Sequence, residues 1–185
     1  MTTAQRIDRH VYTIPDLLTP AECDAWIART EASGYREAPV STTGGPRMMK
    51  EVRDNARLML DSVPEAAKLW DRLAARYPEA LHLSGAPIGL NERLRFYRYE
   101  PGQRFKLHRD GYYRRPTGER SHVTFLVYLN EGFAGGETRV FDSGEHAVAP
   151  RRGMALLFAH QLMHEGVAVR DGTKYVLRSD VMYAR

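Results

Sequence analysis

Residues 94–110 read LRFYRYEPGQRFKLHRD, and the period of this stretch decides the fold. Leu94 to Tyr99 alternates with the two-residue repeat of a strand, where the preceding sequence repeats at helical spacing. Pro101-Gly102 then marks a turn. The stretch ends on His108-Arg109-Asp110. In an extended chain, residues two apart face the same side, so His108 and Asp110 aim at one point and Arg109 points away. Two histidines and one carboxylate can bind iron(II) on one face and leave the opposite positions open. His164, far downstream, supplies a second imidazole. Spacing alone does not single out this trio, because a chain with seven histidines offers many combinations.

The strand period recurs downstream. In Val123 to Leu129, Phe125, Val127 and Leu129 point one way while Thr124, Leu126 and Tyr128 point the other. Further strands are expected at 137–141, 153–158 and 174–183. Turns at Gly135-Gly136, Arg152-Gly153 and Asp171-Gly172 separate them, a pattern of short strands that predicts a sandwich or barrel. The first third reads as helical with one short strand. Thr19-Pro20-Ala21-Glu22 is a helix start: Thr19 caps, Pro20 suits the first helical position and Glu22 completes a capping box. Cys23, Trp26, Ile27 and Thr30 form the buried stripe, and Gly34 ends the helix. A second helix is expected from near Ser62, with Glu65 three residues on and Ala66, Leu69, Trp70 and Leu73 at helical spacing. Ser41 to Pro46 (STTGGP) reads as a loop. Tyr112 to Glu119 (YYRRPTGE) reads as a mobile, turn-rich loop beside the first two metal candidates.

Composition narrows the class. A length of 185 residues suggests one domain, and 43% apolar with 27% charged residues argues against disorder. A formal charge of +4 is too small for a dedicated nucleic-acid binder. Cys23 is the only cysteine, so no intramolecular disulfide can form. The N-terminus lacks the apolar core of a secretory signal, and no stretch is long enough to span a bilayer. A cytoplasmic protein without membrane contact is the expectation.

Several pieces in order carry a resemblance over residues 94–183. They are Leu94 to Gln103 leading into His108-Arg109-Asp110, Val123 to Asn130, and Gly135-Gly136-Glu137-Thr138. Gly153 to Phe158, His164-Glu165-Gly166 and Gly172-Thr173-Lys174-Tyr175 follow. The combination resembles the prolyl 4-hydroxylase branch of the 2-oxoglutarate- and iron(II)-dependent oxygenases. The resemblance implies an α+β fold with a mainly β core. That core would be a double-stranded β-helix (jelly roll, cupin-like), with N-terminal helices packed on the larger sheet. Residues 1–185 would form one dioxygenase domain, with 1–87 as mostly helical support and 88–185 carrying the site.

His108, Asp110 and His164 match the family's iron ligands. His160 is the rival for the third position, but the following His-Glu-Gly fits His164, and His160 reads as a supporting residue. His10, His82, His122 and His146 lie outside the motif. Residues far apart in sequence are expected on facing strands, which would bring His164 to the other two. The resemblance implies that 2-oxoglutarate chelates the iron through its keto acid and needs a cation at its far carboxylate. Lys174, ten residues after His164, matches that cation. Tyr99, Tyr128 and Thr138 match further pocket residues, although both tyrosines also read as core aromatics with bonded hydroxyls. Arg178 shares a strand face with Lys174, Val176 and Asp180. It could hold the cosubstrate, touch the substrate or pair with Asp180. The resemblance extends to ascorbate as an accessory cofactor.

The implied activity is that of an oxidoreductase: hydroxylation of a C–H bond with O2, giving succinate and CO2 as coproducts. A peptidyl substrate, prolyl or other, is the first expectation, and a free amino acid or other small molecule the second. A metal- and 2-oxoglutarate-binding sensor without catalysis is the alternative of another class. Nucleic-acid demethylation ranks last, since no groove-reading motif accompanies the charge. Arg95, Arg98, Arg104, Lys106, Arg109, Arg114, Arg115 and Arg120 crowd the metal motif. They could steer an anionic substrate, with Arg114 and Arg115 closing over it, or form a solvated basic surface.

Overall fold

The computed structural model describes residues 4–42, 44–76 and 85–185. The chain opens with a hairpin, β1 (Gln5–Asp8) and β2 (Val11–Ile14), and enters α1 (Pro20–Ser33). Then come β3 (Arg36–Glu37), the small hairpin β4 (Val40–Thr42) and β5 (Gly45–Arg47), β6 (Ala56–Asp61) and α2 (Val63–Arg76). The strands β7 (Pro87–Leu90), β8 (Arg93–Tyr99), β9 (Phe105–His108), β10 (Arg120–Tyr128), β11 (Ala134–Gly135) and β12 (Thr138–Phe141) follow. The chain continues with β13 (Glu145–Val148), β14 (Ala155–Ala159), β15 (Met163–Gly166), β16 (Val169–Asp171) and β17 (Lys174–Tyr183).

Two sheets build the core. The larger runs β1-β2-β14-β10-β17-β8-β6-β3, with β7 also pairing β17; the smaller runs β13-β12-β15-β9. Strand alternation sorts the side chains of the large sheet onto two faces. Leu94, Phe96, Phe125, Val127 and Leu177 point outward and pack with Cys23, Leu69 and Leu73 of the two helices. Tyr97, Tyr99, Tyr128, Phe158 and Val176 point inward and meet Val140 and Val148 of the small sheet. This is the expected double-stranded β-helix, with helices on the outer face of its larger sheet.

Helix α1 starts as its sequence dictates. The Glu22 backbone N–H donates to Thr19 Oγ1, the Glu22 carboxylate accepts from the Thr19 backbone at 2.9 Å, and Gly34 caps the other end. Trp26 and Ile27 pack on the sheet; the Trp26 ring lies 5.0 Å from that of Phe96. Helix α2 begins after Ser62, whose hydroxyl accepts from the Glu65 backbone, and it buries Ala66, Leu69 and Leu73.

The described part of residues 1–87 is less helical than expected. Strands β2 and β6 join the large sheet through β14 and β8, so both halves of the chain share one hydrogen-bonded layer. These strands are only 4 and 6 residues long, too short for alternation to stand out. The expected loop at Ser41 to Pro46 contains the β4–β5 pairing, with Thr43 outside the described residues. The Tyr112 to Glu119 segment is pinned rather than open. Tyr113 and Ser121 exchange backbone and side-chain hydrogen bonds, and Arg115 pairs with Glu92 at 2.6 Å. No described helix is long and apolar enough to cross a membrane.

Replacing Thr19 by alanine removes one half of the α1 capping box. The expected cost is about 1 kcal/mol, read as a lower denaturant midpoint with unchanged slope.

Candidate metal centre and its two pockets

Strands β9 and β15 pair antiparallel in the small sheet with His108 directly opposite His164. The two imidazoles are therefore neighbours within one sheet, not residues on facing sheets, and their ring centroids lie 4.2 Å apart. Each ring is oriented the same way. His108 Nδ1 is 2.7 Å from the Lys106 carbonyl, and His164 Nδ1 is 3.1 Å from that of Leu162. A carbonyl can only accept, so each Nδ1 carries the proton and each Nε2 keeps a free lone pair.

Asp110 completes the group just beyond β9. Its backbone N–H donates to the His160 carbonyl at 3.1 Å. Its Oδ1 lies 3.7 Å from His108 Nε2 and its Oδ2 3.4 Å from His164 Nε2. Ligands at right angles and about 2.1 Å from an ion stand about 3 Å apart, so a small contraction around a divalent ion closes the site. These three residues are the described His, Cys, Asp or Glu group of three or more with donors within 4.8 Å of one another. His160 does not join them; its Nε2 faces Asp180 at 3.5 Å. His10 and His146 bind Asp142 and Asp8, and His82 lies outside the described residues.

Protonation suits metal binding. Burial, reinforced by His164, pushes His108 down to about 4, and burial lowers His164 as well. Burial opposes the charge on Asp110. Arg178 and the two imidazoles overcome it, and Thr124 donates at 2.6 Å; the carboxyl is held at about 2. Neutral imidazoles and an ionised carboxylate are the forms that ligate. The buried His108 Nε2 has no hydrogen-bond partner, which fits a metal ligand.

One pocket leads from the triad to Lys174, past Tyr99, Thr138 and Val176. Lys174 is 3% exposed. Its Nζ donates to the Gly136 carbonyl at 2.6 Å and sits 5.3 and 5.5 Å from the Tyr99 and Tyr128 ring centres. No carboxylate among the described residues pairs with it. Burial therefore pushes the amine down to about 7, with only Glu137 acting the other way. A buried cation without a counter-ion fits an incoming carboxylate. Gly136, at φ +72°, permits the close approach: a Cβ there would stand 2.9 Å from the Phe133 ring and 3.2 Å from Lys174 Cδ. Tyr128 gives its hydroxyl proton to Thr138 at 2.8 Å. Arg178 lines this pocket too, beside the triad. Its guanidinium is 2.8 Å from Asp110 and 3.4 Å from Asp180, the carboxylate-pairing role left open by the sequence.

A second cleft, of about 410 Å³, opens beside the triad and shares Tyr97, Phe105, His108, Asp110 and Arg178 with the first pocket. Of the eight cations singled out in the sequence, only Arg95 and Arg109 line it. Arg98 faces the helices and binds Glu31, and Arg115 is held by Glu92. Arg53 and Arg57, missed by sequence reasoning, line the cleft, as do Tyr97 and Phe105. Phe105 stacks on His108 with ring centres 3.6 Å apart. Thr124 was also missed as a partner of Asp110, although its place on the inward face was legible.

Comparison with known proteins agrees with this geometry. The family model described as "2OG-Fe(II) oxygenase superfamily" matches residues 94–179. A PKHD-type hydroxylase of Paracoccus denitrificans is 31% identical over 174 residues, covering 88% of this chain and 74% of its own. A probable prolyl 4-hydroxylase 4 of Arabidopsis thaliana is 26% identical, covering 85% of this chain and 62% of its own. The crystal structure of a Pseudomonas putida prolyl-4-hydroxylase superposes with a TM-score of 0.70 at 22% identity, covering 95% of this chain and 94% of that one. The chain belongs to the 2OG-Fe(II) oxygenase superfamily, in its prolyl 4-hydroxylase-like branch, and its cofactors are Fe(II) and 2-oxoglutarate.

His164→Ala should weaken Mn(II) binding, measured by calorimetry, by well over tenfold, while His160→Ala changes it by less; equal losses would reopen the choice of third ligand. Because Lys174 titrates near 7 when uncompensated, binding a carboxylate above that pH must return a proton to the amine. Affinity for 2-oxoglutarate should then fall with rising pH above 7, by up to about tenfold per unit. Calorimetry in buffers of different ionisation enthalpy should detect the proton uptake. The same shift makes the cosubstrate-free protein more stable as pH rises from about 7 towards the ordinary lysine value of about 10.4, since the unfolded chain binds the extra proton there.

Proposed function

We propose that His108, Asp110 and His164 hold the iron and that Lys174 binds the far carboxylate of 2-oxoglutarate, with Tyr99 and Thr138 shaping its pocket. When iron and keto acid are bound, the centre supplies oxidation of a substrate C–H bond by O2, with succinate and CO2 as coproducts. The protein's own share is placement and water exclusion. Thr124 and Arg178 keep Asp110 ionised and aimed, and the Lys106 and Leu162 carbonyls fix the two imidazoles. Tyr128 acts at one remove, by orienting the Thr138 hydroxyl. The observation that carries this reading is the convergence of the triad and the unpaired Lys174 on one pocket.

The substrate enters through the second cleft. A peptidyl residue, prolyl first, remains the leading substrate, in keeping with the names of the relatives. A small-molecule substrate, free amino acids included, is the second reading. It is favoured by a cleft volume of about 410 Å³, within the span of small-ligand pockets. The arginines of the cleft favour a substrate with negative charge. We place the enzyme in the cytoplasm and read residues 1–185 as one dioxygenase domain, with ascorbate as an accessory reductant.

Oxygen-dependent succinate formation from 2-oxoglutarate should require added iron and disappear in His164→Ala. Normal iron-dependent succinate from that variant would refute the ligand assignment. Mass spectrometry of candidate peptides and amino acids for one added oxygen then separates the two substrate readings.

A further inference from the structure

The second cleft carries more positive charge than its own carboxylates match. Arg53, Arg57, Arg95, Arg109 and Arg178 line it beside Asp110 and Asp180, five cations against two anions, a surplus of three. Arg178 is matched by Asp110 at 2.8 Å and Arg95 by Asp180 at 2.9 Å. Arg53, Arg57 and Arg109 pair with no carboxylate among the described residues. A ferrous ion and a doubly charged keto acid cancel each other, so loading the centre leaves the surplus in place.

Arg53 is the most constrained of the three. It is 5% exposed, and its guanidinium lies between two aromatic rings, with Cζ 4.3 Å from the Tyr97 centre and 4.6 Å from that of Phe105. Its Nε donates to Asn55 at 2.6 Å, while its Nη2 is buried without an acceptor. Buried donors are almost always paired, so an orphaned one marks a missing partner. Arg57 stands opposite Tyr97 in the β6–β8 ladder, on the inward face. Burial pushes its guanidinium down; Tyr97 acts the other way, and Arg53, Arg95 and Arg93 add to the lowering. Arg109, expected to point away from His108 and Asp110, lines the cleft with both of them, because β9 ends at His108 and strand alternation stops there. The planar fork of a guanidinium matches carboxylate and phosphate oxygens two at a time.

We propose that Arg53, Arg57 and Arg109 bind an oxyanion of the substrate, a carboxylate or a phosphate, and so select which C–H bond meets the metal. The proposal rests on the hydroxylase reading for the reaction but not for the binding. Phe105 links the two places, with Arg53 against its ring and His108 stacked on it. The anion is thus anchored one side chain away from the reacting centre.

The test uses the full-length protein without metal or keto acid. Inorganic phosphate and acetate are titrated separately at ionic strength fixed with chloride, by calorimetry and thermal unfolding. At least one should bind saturably and raise the unfolding temperature, and the tighter of the two names the chemistry. Arg57→Gln should weaken that binding by about tenfold or more, and Arg57→Lys should recover part of it. Arg98→Gln removes the same charge from the helix-facing side and should change it less than twofold. Equal losses in Arg57→Gln and Arg98→Gln would mean a diffuse basic surface and overturn the proposal. So would binding that 2-oxoglutarate displaces and Arg57→Gln leaves intact, or no binding of either anion up to tens of millimolar. Wild-type protein that binds the anion through Arg57 but forms no succinate would refute the hydroxylase reading alone. Succinate formation with indifference to both anions would refute the oxyanion site alone.

Discussion

The register between two short strands governs the whole centre. His108 and His164 sit opposite each other because β9 and β15 pair as they do, and side chains alternate faces along each strand. A slip of one residue would send one imidazole to the other side of the sheet and leave no shared point for an ion. Both rings use the same device, a proton given to the carbonyl two residues back. The triad is therefore shaped mostly by backbone. Asp110 joins through its own backbone bond to His160, which explains why that histidine lies near the centre without competing for it.

Around this frame, buried charges are treated in three ways. Asp110 is matched by Arg178 and Thr124, so its charge is secure before any ion arrives. Lys174 has a single hydrogen-bonded carbonyl and two aromatic rings nearby, and burial pushes its amine down to about 7. Arg53 leans on aromatic faces and one amide oxygen. Desolvated cations in such settings destabilise the free protein, and stability withheld in this way returns when an anion binds. The two under-compensated positions line two pockets that share His108 and Asp110, consistent with two anionic ligands meeting near one centre.

Much of this was legible in the sequence, and the rest was hidden for identifiable reasons. Long alternating runs, such as 94–99 and 123–129, exposed the large sheet, and the His-x-Asp spacing exposed His108 and Asp110 as candidates for the site that the structure assembles. Lys174 was legible only through resemblance, because nothing in a lone lysine announces burial. The cleft arginines were hidden because Arg53 and Arg57 come from a segment brought to the triad by long-range pairing, the β6–β8 ladder and the bridge between Arg53 and Phe105. Arg98 shows a signal that was present but unused. It lies three residues from Arg95 in a strand, so the two must face opposite sides, and only one can see the metal. Arg115 was misjudged for a different reason, since its tie to Glu92 spans 23 residues and leaves no local trace.

The ring of Phe105 has two tenants, the imidazole of His108 and the guanidinium of Arg53. Any substitution that reshapes the cleft at this position also disturbs how His108 stands. Relatives that diverge toward new substrates are thus freer to do so at the rim, through residues such as Arg57 and Arg109, than at the inner wall. Diversification of this scaffold should begin at its edge and leave that aromatic plate alone.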